Sequence, residues 1–177
     1  SQGLEIEVIT CMPNYPDGII HKNYKKKFYF KEKIDEIPIR RIFHYPVAGR
    51  KPLRRLLSYF TFTFTSLFLL FSSKKVDMVF VEAQPIILAF PALLLKIIKG
   101  TPYIYNTPDL QIEYADEKKW VKSSRIISLA KWLEKYLMKK SFSVTTVTHS
   151  FMRYFSDQRD IDINKITFLP NGADTGF

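Results

Sequence analysis

The sequence predicts an α/β protein with a mostly parallel sheet flanked by helices. Three observations carry this. Short apolar runs of strand character alternate with stretches whose apolar residues recur at three- and four-residue steps. The alternation continues along the whole chain, and parallel strands require such crossovers. With 177 residues, 46% of them apolar and 25% charged, the chain can bury one full-sized core and lacks the composition of a disordered segment.

Glu5–Thr10 reads as the first strand, with Ile6, Val8 and Thr10 on one face. Pro13–Lys33 is polar, holds Pro13, Pro16 and Asp17-Gly18, and reads as a long loop. Ile37–Phe43 is a second strand, which Pro38 places at an edge or at its own start. Leu53–Phe71 is helical. Leu53, Leu56, Leu57, Phe60, Phe64, Leu67, Phe68 and Phe71 form a stripe expected to pack on the sheet, with Tyr59, Phe62 and Leu69 off it.

Val76–Glu82 is expected to be a buried strand. Ile86–Ile98 is an apolar helix interrupted near Pro91, with Gly100 as its C-terminal cap. Tyr103–Asn106 is a short strand entered through Pro102. Ser123–Lys140 is amphipathic, with Ser123 or Ser124 to cap it and Ile126, Leu129, Ala130, Leu133 and Leu137 as its apolar stripe. Ser143–Thr148 is a strand, a short helix follows near Ser150–Ser156, and Ile166–Leu169 is the last strand. It ends in Pro170-Asn171-Gly172, where Asn-Gly predicts a tight turn with positive φ.

Cys11 stands alone, which excludes a disulfide or zinc framework and fits a reducing compartment. The polar start shows no signal-peptide pattern. Net charge is +10, and between Arg40 and Lys75 there are eight Lys/Arg and no Asp/Glu. Such a run is either a solvated surface or an attraction to anionic lipid, nucleic acid or a phosphorylated substrate.

Several segments resemble family-4 glycosyltransferases of the GT-B type. Gly3–Thr10 (GLEIEVIT) resembles their "G-H-E-V-x-V-[IL]-T" second strand. Pro13-Asn14-Tyr15-Pro16 resembles the "P-N-Y-P" of a subfamily acting in capsule and O-antigen assembly. Val76–Glu82 (VDMVFVE) is similar to "P-D-V-V-[YF]-V-E", and Asp109–Glu113 (DLQIE) to "D-L-W-P-E" with Gln111 and Ile112 replacing Trp and Pro. Val144–Thr148 stands where the family has "I-[VI]-T-V-S". Lys165–Asp174 (KITFLPNGAD) resembles the hinge "I-x-x-[IL]-P-N-G-x-D" between the two Rossmann-like domains.

The resemblance implies the N-terminal, acceptor-side Rossmann-like domain of a retaining, metal-independent enzyme. Such enzymes move a sugar from a nucleotide-sugar to a lipid-linked acceptor in bacterial surface polysaccharide synthesis. It also implies that the family's first strand, Gly-rich loop and first helix are absent here, as is the C-terminal donor-binding domain. The fragment is then expected to be inactive alone. The missing strand would be central, so Glu5–Thr10 is expected either to pair directly with a neighbouring strand or to bind a partner chain, with homo-oligomers through exposed edges.

Asp109 follows a strand end, where open α/β sheets place ligands, and its carboxylate can orient an acceptor hydroxyl; it can equally cap a turn after Pro108. Glu113 has the same standing. With Asp109 it forms the expected catalytic pair. Substrate binding is assigned to Glu82, Asn14, Tyr15 and His149. Glu82 ends a strand and can alternatively hold loop N–H groups, while a lone His such as His149 is more often a satisfied polar residue. Tyr15 and Tyr24 offer aromatic faces for sugar or prenyl groups. His21 and His44 have no partner pattern, so no metal site is expected, and no cofactor beyond the donor substrate.

Two segments are candidate membrane contacts. Arg54 and Arg55, in the run from Arg50 and Lys51, precede sixteen uncharged residues, Leu56–Phe71. Their five Ser and Thr argue against a spanning helix, and about 20 apolar residues are needed to cross a bilayer. A monotopic contact remains open. Lys25, Lys26 and Lys27, interleaved with Tyr24, Phe28 and Tyr29, form the second. That pattern also suits single-stranded nucleic acid, though the α/β layout together with the family resemblance favours lipid. The expected location is peripheral, at the inner face of the plasma membrane. The competing readings are a non-catalytic nucleotide-binding α/β domain and a basic nucleic-acid module.

Overall fold

The computed structural model describes residues 3–48, 52–72 and 75–172, with 52 and 53 by backbone alone. Arg50, Lys51, Asp174 and the side chain of Leu53, all used above, lie outside the described residues. The chain divides into two units, Ser1–Ser73 and Lys74–Phe177.

The first unit holds a three-stranded sheet in the order β1-β3-β2. β1 (Val8–Cys11) runs parallel to β3 (Ile37–Ile42), with Val8 opposite Ile39. The expected first strand therefore starts three residues late. β2 (Tyr29–Ile34) pairs antiparallel with β3, Tyr29 opposite Ile42. This corrects the long loop: its last five residues, 29–33, are strand. Asp35 and Glu36 turn the hairpin, both with positive φ (48° and 66°). A two-residue turn needs that geometry, but Asp-Glu is a poor signal for it because glycine normally supplies the second position. Pro38 lies in the central strand, one residue before the stretch that pairs with β1, so its missing N–H is at the strand start.

Glu32 ties the hairpin together. It pairs with Arg41 and accepts from Tyr24 Oη at 2.8 Å. Between β1 and β2, Gly18 (φ +70°) donates its N–H to the Asn14 carbonyl at 2.6 Å. A Cβ there would sit 2.0 Å from the Val47 carbonyl oxygen, so no other residue fits the turn.

α1 (Pro52–Ser72) packs by the face opposite to the expected one. Thr63, Ser66 and Leu69 are buried, with Tyr59 and Phe62 half-buried beside them. Leu56, Leu57, Phe60, Phe64 and Phe68 are exposed, Phe64 to 76% and Phe68 to 75%. Hydrogen bonding explains the inversion. The Tyr45 N–H donates to Thr61 Oγ1 at 2.9 Å, and Thr65 Oγ1 donates to the Phe43 carbonyl at 2.9 Å. The backbone leaving β3 needs partners, and hydroxyls supply them where phenyl rings cannot.

The second unit is a parallel four-stranded sheet, β4-β5-β6-β7, flanked by helices. β4 (Val79–Glu82), β5 (Tyr103–Asn106), β6 (Ser143–Thr146) and β7 (Ile166–Phe168) pair in one register, with Glu82 opposite Asn106, Asn106 opposite Thr145 and Thr145 opposite Thr167. α2 (Phe90–Lys99) follows a single 3₁₀ turn, Ile86–Ala89, carries Pro91 in its first turn and ends at Gly100 in the left-handed conformation. A helix that the periodicity did not indicate, α3 (Gln111–Glu117), follows β5. α4 (Ser124–Lys140) precedes β6, and α5 (His149–Arg159) lies between β6 and β7. The core gathers Tyr103, Tyr105, Leu137, Met138, Val144 and Phe155.

Four expectations are corrected here. β4 is an edge strand, not a buried one, and Phe80 is 53% exposed. α4 is turned so that Ile127, Glu134, Leu137 and Met138 face inward, while Ile126 and Leu129 are exposed. Ser123 stands at its N-cap position but makes no capping bond through its side chain. Neither Asn171 nor Gly172 has positive φ; the expected turn is instead irregular chain, with the Leu169 N–H donating to the Thr146 carbonyl at 2.8 Å.

Among the described residues β1 pairs only with β3 and β4 only with β5. The gap that the first strand or a partner chain was expected to close is therefore not closed by pairing among the described residues.

Candidate active site

A parallel sheet presents its strand ends, and the loops after them, at one rim, where ligands bind in open α/β folds. At that rim of the second unit, Glu82, Asn106 and Thr145 form one row across three strands. Asn106 Nδ2 donates to Glu82 Oε2 at 2.6 Å, and Thr145 Oγ1 donates to Asn106 Oδ1 at 2.7 Å. The amide can bridge the two because one end donates and the other accepts. Glu82 is exposed, Asn106 half-buried and Thr145 buried, so the row is anchored from the inside outward.

A second set of bonds holds the loop beside it. Gln84 Nε2 donates to the Asp109 carbonyl at 2.8 Å, as does Thr107 Oγ1 at 3.1 Å. Thr107 is fixed in turn through its own carbonyl, which accepts from Thr146 Oγ1 at 2.9 Å. The backbone of Asp109 is therefore pinned, while its exposed carboxylate has no partner among the described residues. A held backbone with a free carboxylate is suited to accept a hydrogen bond from a sugar hydroxyl.

Glu113 is in a different place. It opens α3 and pairs with Arg159 at the end of α5, which also bonds Glu134 Oε2 of α4 at 2.8 Å. One guanidinium thus serves two carboxylates. Burial works against ionised Glu113, but the Tyr154 hydroxyl and Arg159 outweigh it and hold its pKa below the usual range. Burial pushes Glu134 up to about 7 against the pull of Arg159. A single positive charge cannot fully compensate both, so the more deeply buried acid retains its proton longest.

A pH dependence follows. Glu134 binds its proton more tightly folded (about 7) than unfolded (4.5). Its stabilising contribution is complete below the unfolded value and is lost as pH rises through about 7. Glu134→Gln should therefore become progressively more favourable, relative to the parent protein, as pH rises across that window. Melting temperatures of both proteins measured across it test this; a constant difference refutes it.

His149 is the first residue of α5, whose N-cap residue Thr148 accepts through its side chain from the Phe151 N–H at 3.1 Å. Its ring stacks on Phe168, with centroids 4.4 Å apart. Asn14 and Tyr15 belong to the first unit, where Tyr15 is 85% exposed and its carbonyl lies 3.1 Å from His21 Nε2. Lys25 and Lys26 are exposed, whereas Lys27 Nζ lies over the Phe30 ring at 3.9 Å. Arg54 and Arg55 are exposed on the first turns of α1. Among the described residues, no group of three His, Cys, Asp or Glu is placed to hold a metal.

The rim thus brings together Glu82 and Asp109 from the expected set, with Asn106, Gln84 and Thr145 between or beside them. Those three were missed. The one available signal was positional, a polar residue directly after the alternating apolar Tyr103-Ile104-Tyr105 and Val144 runs.

A family model described as a glycosyl transferase 4-like domain matches residues 1–172. The chain belongs to that family. Comparison with curated proteins gives no match. The glycosyl transferase 4-like domain so identified is a glycosyltransferase domain with a Rossmann-like α/β architecture, and the four-stranded parallel sheet is the part of it that carries the rim described above.

Proposed function

We propose that this domain is the acceptor-side half of a retaining, metal-independent glycosyltransferase. The whole enzyme moves a hexose from a nucleotide-sugar to a lipid-linked acceptor in bacterial surface polysaccharide synthesis, of the capsule or O-antigen kind. It works at the cytoplasmic face of the plasma membrane, and the donor is held by a second domain outside this chain. The observation that carries the reading is the family match across residues 1–172.

The rim supports it in detail. Asp109 accepts the hydrogen bond of the attacking acceptor hydroxyl, and Glu82 binds a neighbouring hydroxyl from a position set by Asn106 and Thr145. Glu113 is held by Arg159, which ties the first turn of α3 to the end of α5. The net charge of +10 suits a pyrophosphate-bearing acceptor and an anionic membrane alike.

The test is transfer of radiolabel by the full-length protein. A panel of nucleotide-sugars is offered with a prenyl-pyrophosphate-linked sugar, with and without EDTA. Label should pass into the organic-extractable fraction with EDTA present, and the anomeric configuration of the donor should be kept. No lipid-linked product from any donor, or activity abolished by chelation, overturns the reading.

A further inference from the structure

We propose that Trp120, backed by Tyr114, is a stacking platform for an inner sugar of the acceptor, so that the acceptor carries at least two sugars when it reaches this enzyme. The inference rests on the acceptor-side reading above, and free oligosaccharides test the platform apart from sugar transfer.

The pair is built by the end of α3. Lys119 has positive φ (52°), its N–H donates to the Asp116 carbonyl at 3.0 Å, and the Trp120 N–H donates to the Ala115 carbonyl at 3.0 Å. These two bonds make a helix stop that glycine usually forms, in which the next residue folds back on the last turn. Trp120 is that residue. Its ring meets Tyr114 edge to face, with centroids 5.1 Å apart and planes at 87°. Lys118 Nζ stands over the Tyr114 ring, 5.6 Å from its centroid.

A small apolar side chain would close such a stop. The indole found there is 67% exposed, and the phenol beside it 49%. So much apolar surface in water is unfavourable and adds little to the stop itself. With its backbone hydrogen-bonded and its ring against a second ring, Trp120 is ordered before any ligand arrives, which lowers the cost of binding. α3 is held as well: Ile112 is buried, Glu113 pairs with Arg159, and Asp116 pairs with Lys131 of α4 at 3.2 Å. Tyr114 stands about 150° round the helix from the middle of those three, on the solvent side.

Position selects the ligand. α3 starts two residues after Asp109, and the Tyr114 N–H donates to the Leu110 carbonyl at 2.9 Å. Along the axis Tyr114 is about 6 Å from Leu110. The platform is thus within reach of a short sugar chain whose end lies at Asp109. One face of a pyranose carries mostly C–H groups, whose partial positive charge meets the negative face of an indole. The sugar at Asp109 offers the hydroxyl for transfer, so the ring on Trp120 is one that precedes it in the acceptor. At least one glycosyl transfer onto an already glycosylated carrier must therefore come before this one.

Full-length protein is given prenyl-pyrophosphate carriers bearing one, two or three sugars, with the donor found in the transfer assay. The kcat/KM for the two-sugar acceptor should exceed that for the one-sugar acceptor by about three- to tenfold, the size of one aromatic contact. Trp120→Ala and Trp120→Leu should bring this ratio close to one, whereas Trp120→Phe should keep most of it. Trp132→Ala, which removes an indole of similar exposure on α4, should leave the ratio as in the parent. Melting temperatures of all four variants should stay within about two degrees of the parent's. Separately, linear glucose, galactose and mannose trisaccharides are tested for magnetic saturation transfer from the protein. The C–H protons of one ring should receive it from the parent and not from Trp120→Ala.

The proposal is overturned if the ratio is one in the parent, if Trp120→Leu keeps it, if Trp132→Ala abolishes it as well, or if no trisaccharide receives saturation through Trp120. Saturation transfer that Trp120→Ala abolishes, with no sugar transfer from any donor, removes the functional reading and leaves the platform standing as a sugar site. Sugar transfer at a ratio that Trp120→Ala does not change keeps the functional reading and removes the platform.

Discussion

Arg159→Ala should destabilise the protein by about 3–5 kcal/mol, the penalty for stripping the partner from a buried charge. Arg159 is the cation shared by Glu113 and Glu134, and both its side chain and that of Glu134 are about 95% buried. Removing it leaves two carboxylates facing each other across a low-dielectric gap. For a chain of this size the melting temperature should fall by roughly 6–20 °C.

The loss should depend on pH in a definite direction. Near pH 5 Glu134 holds its proton, since burial lifts it to about 7, and the penalty of deleting Arg159 should shrink. Above neutrality it should be greatest. Adding Glu134→Gln to Arg159→Ala should restore part of the stability, because one orphaned charge is then gone. Denaturant unfolding of the four proteins in that cycle measures the coupling. A cost below about 1 kcal/mol at every pH, the range of exposed ion pairs, shows that the triad is not the buried network described above.

Asp109→Asn should lower kcat/KM for sugar transfer by about 10–100-fold, the loss of one charge-assisted hydrogen bond of about 1.5–3 kcal/mol. Its carboxylate is exposed, and its backbone is already held by Gln84 and Thr107. The melting temperature should therefore stay within a degree or so, as for surface substitutions generally. Glu113→Gln should show the opposite profile, with stability lost through Arg159 and activity falling only in step with the folded fraction. Steady-state kinetics beside thermal unfolding separates the two acids. Unchanged kinetics in Asp109→Asn removes it from the acceptor site.

How much of this was legible varied from element to element. Tyr103–Asn106 was found to the residue, because an alternating apolar run between Pro102 and a polar loop admits no other reading. Gly100 marked the C-terminal end of α2, and Pro91, expected to interrupt the helix, stands in its first turn after the separate 3₁₀ turn. β2 was not found. Its residues Tyr29–Ile34 are half charged, and the turn after it uses Asp35 and Glu36 without glycine. Only pairing with β3, reinforced by Glu32 and Arg41, makes it a strand.

The candidate site divides in the same way. Glu82 and Asp109 could be singled out because strand ends are where an α/β sheet exposes chemistry. Their joining could not, since Asn106 lies 24 positions from Glu82 and 39 from Thr145, and no local pattern links them. Glu113 looked equivalent to Asp109 from its spacing, yet Arg159, 46 positions away, holds it.

By itself the sequence determined the α/β class, the crossover order, the resemblance to glycosyltransferases and the amphipathic character of α1 and α4, since each of these follows from periodicity or from a short run of residues. Only the tertiary structure decided which way the two helices face. Periodicity locates a stripe but carries no sign: it says that one side differs from the other, not which side meets the sheet. In α1 the sign came from Thr61 and Thr65, whose hydroxyls satisfy backbone groups after β3. In α4 it came from Glu134, drawn inward by Arg159. A backbone group or buried guanidinium left without a partner costs more than an exposed apolar side chain, so the polar partners chose the inner face, leaving Phe60, Phe64 and Phe68 of α1 and Ile126 and Leu129 of α4 outside.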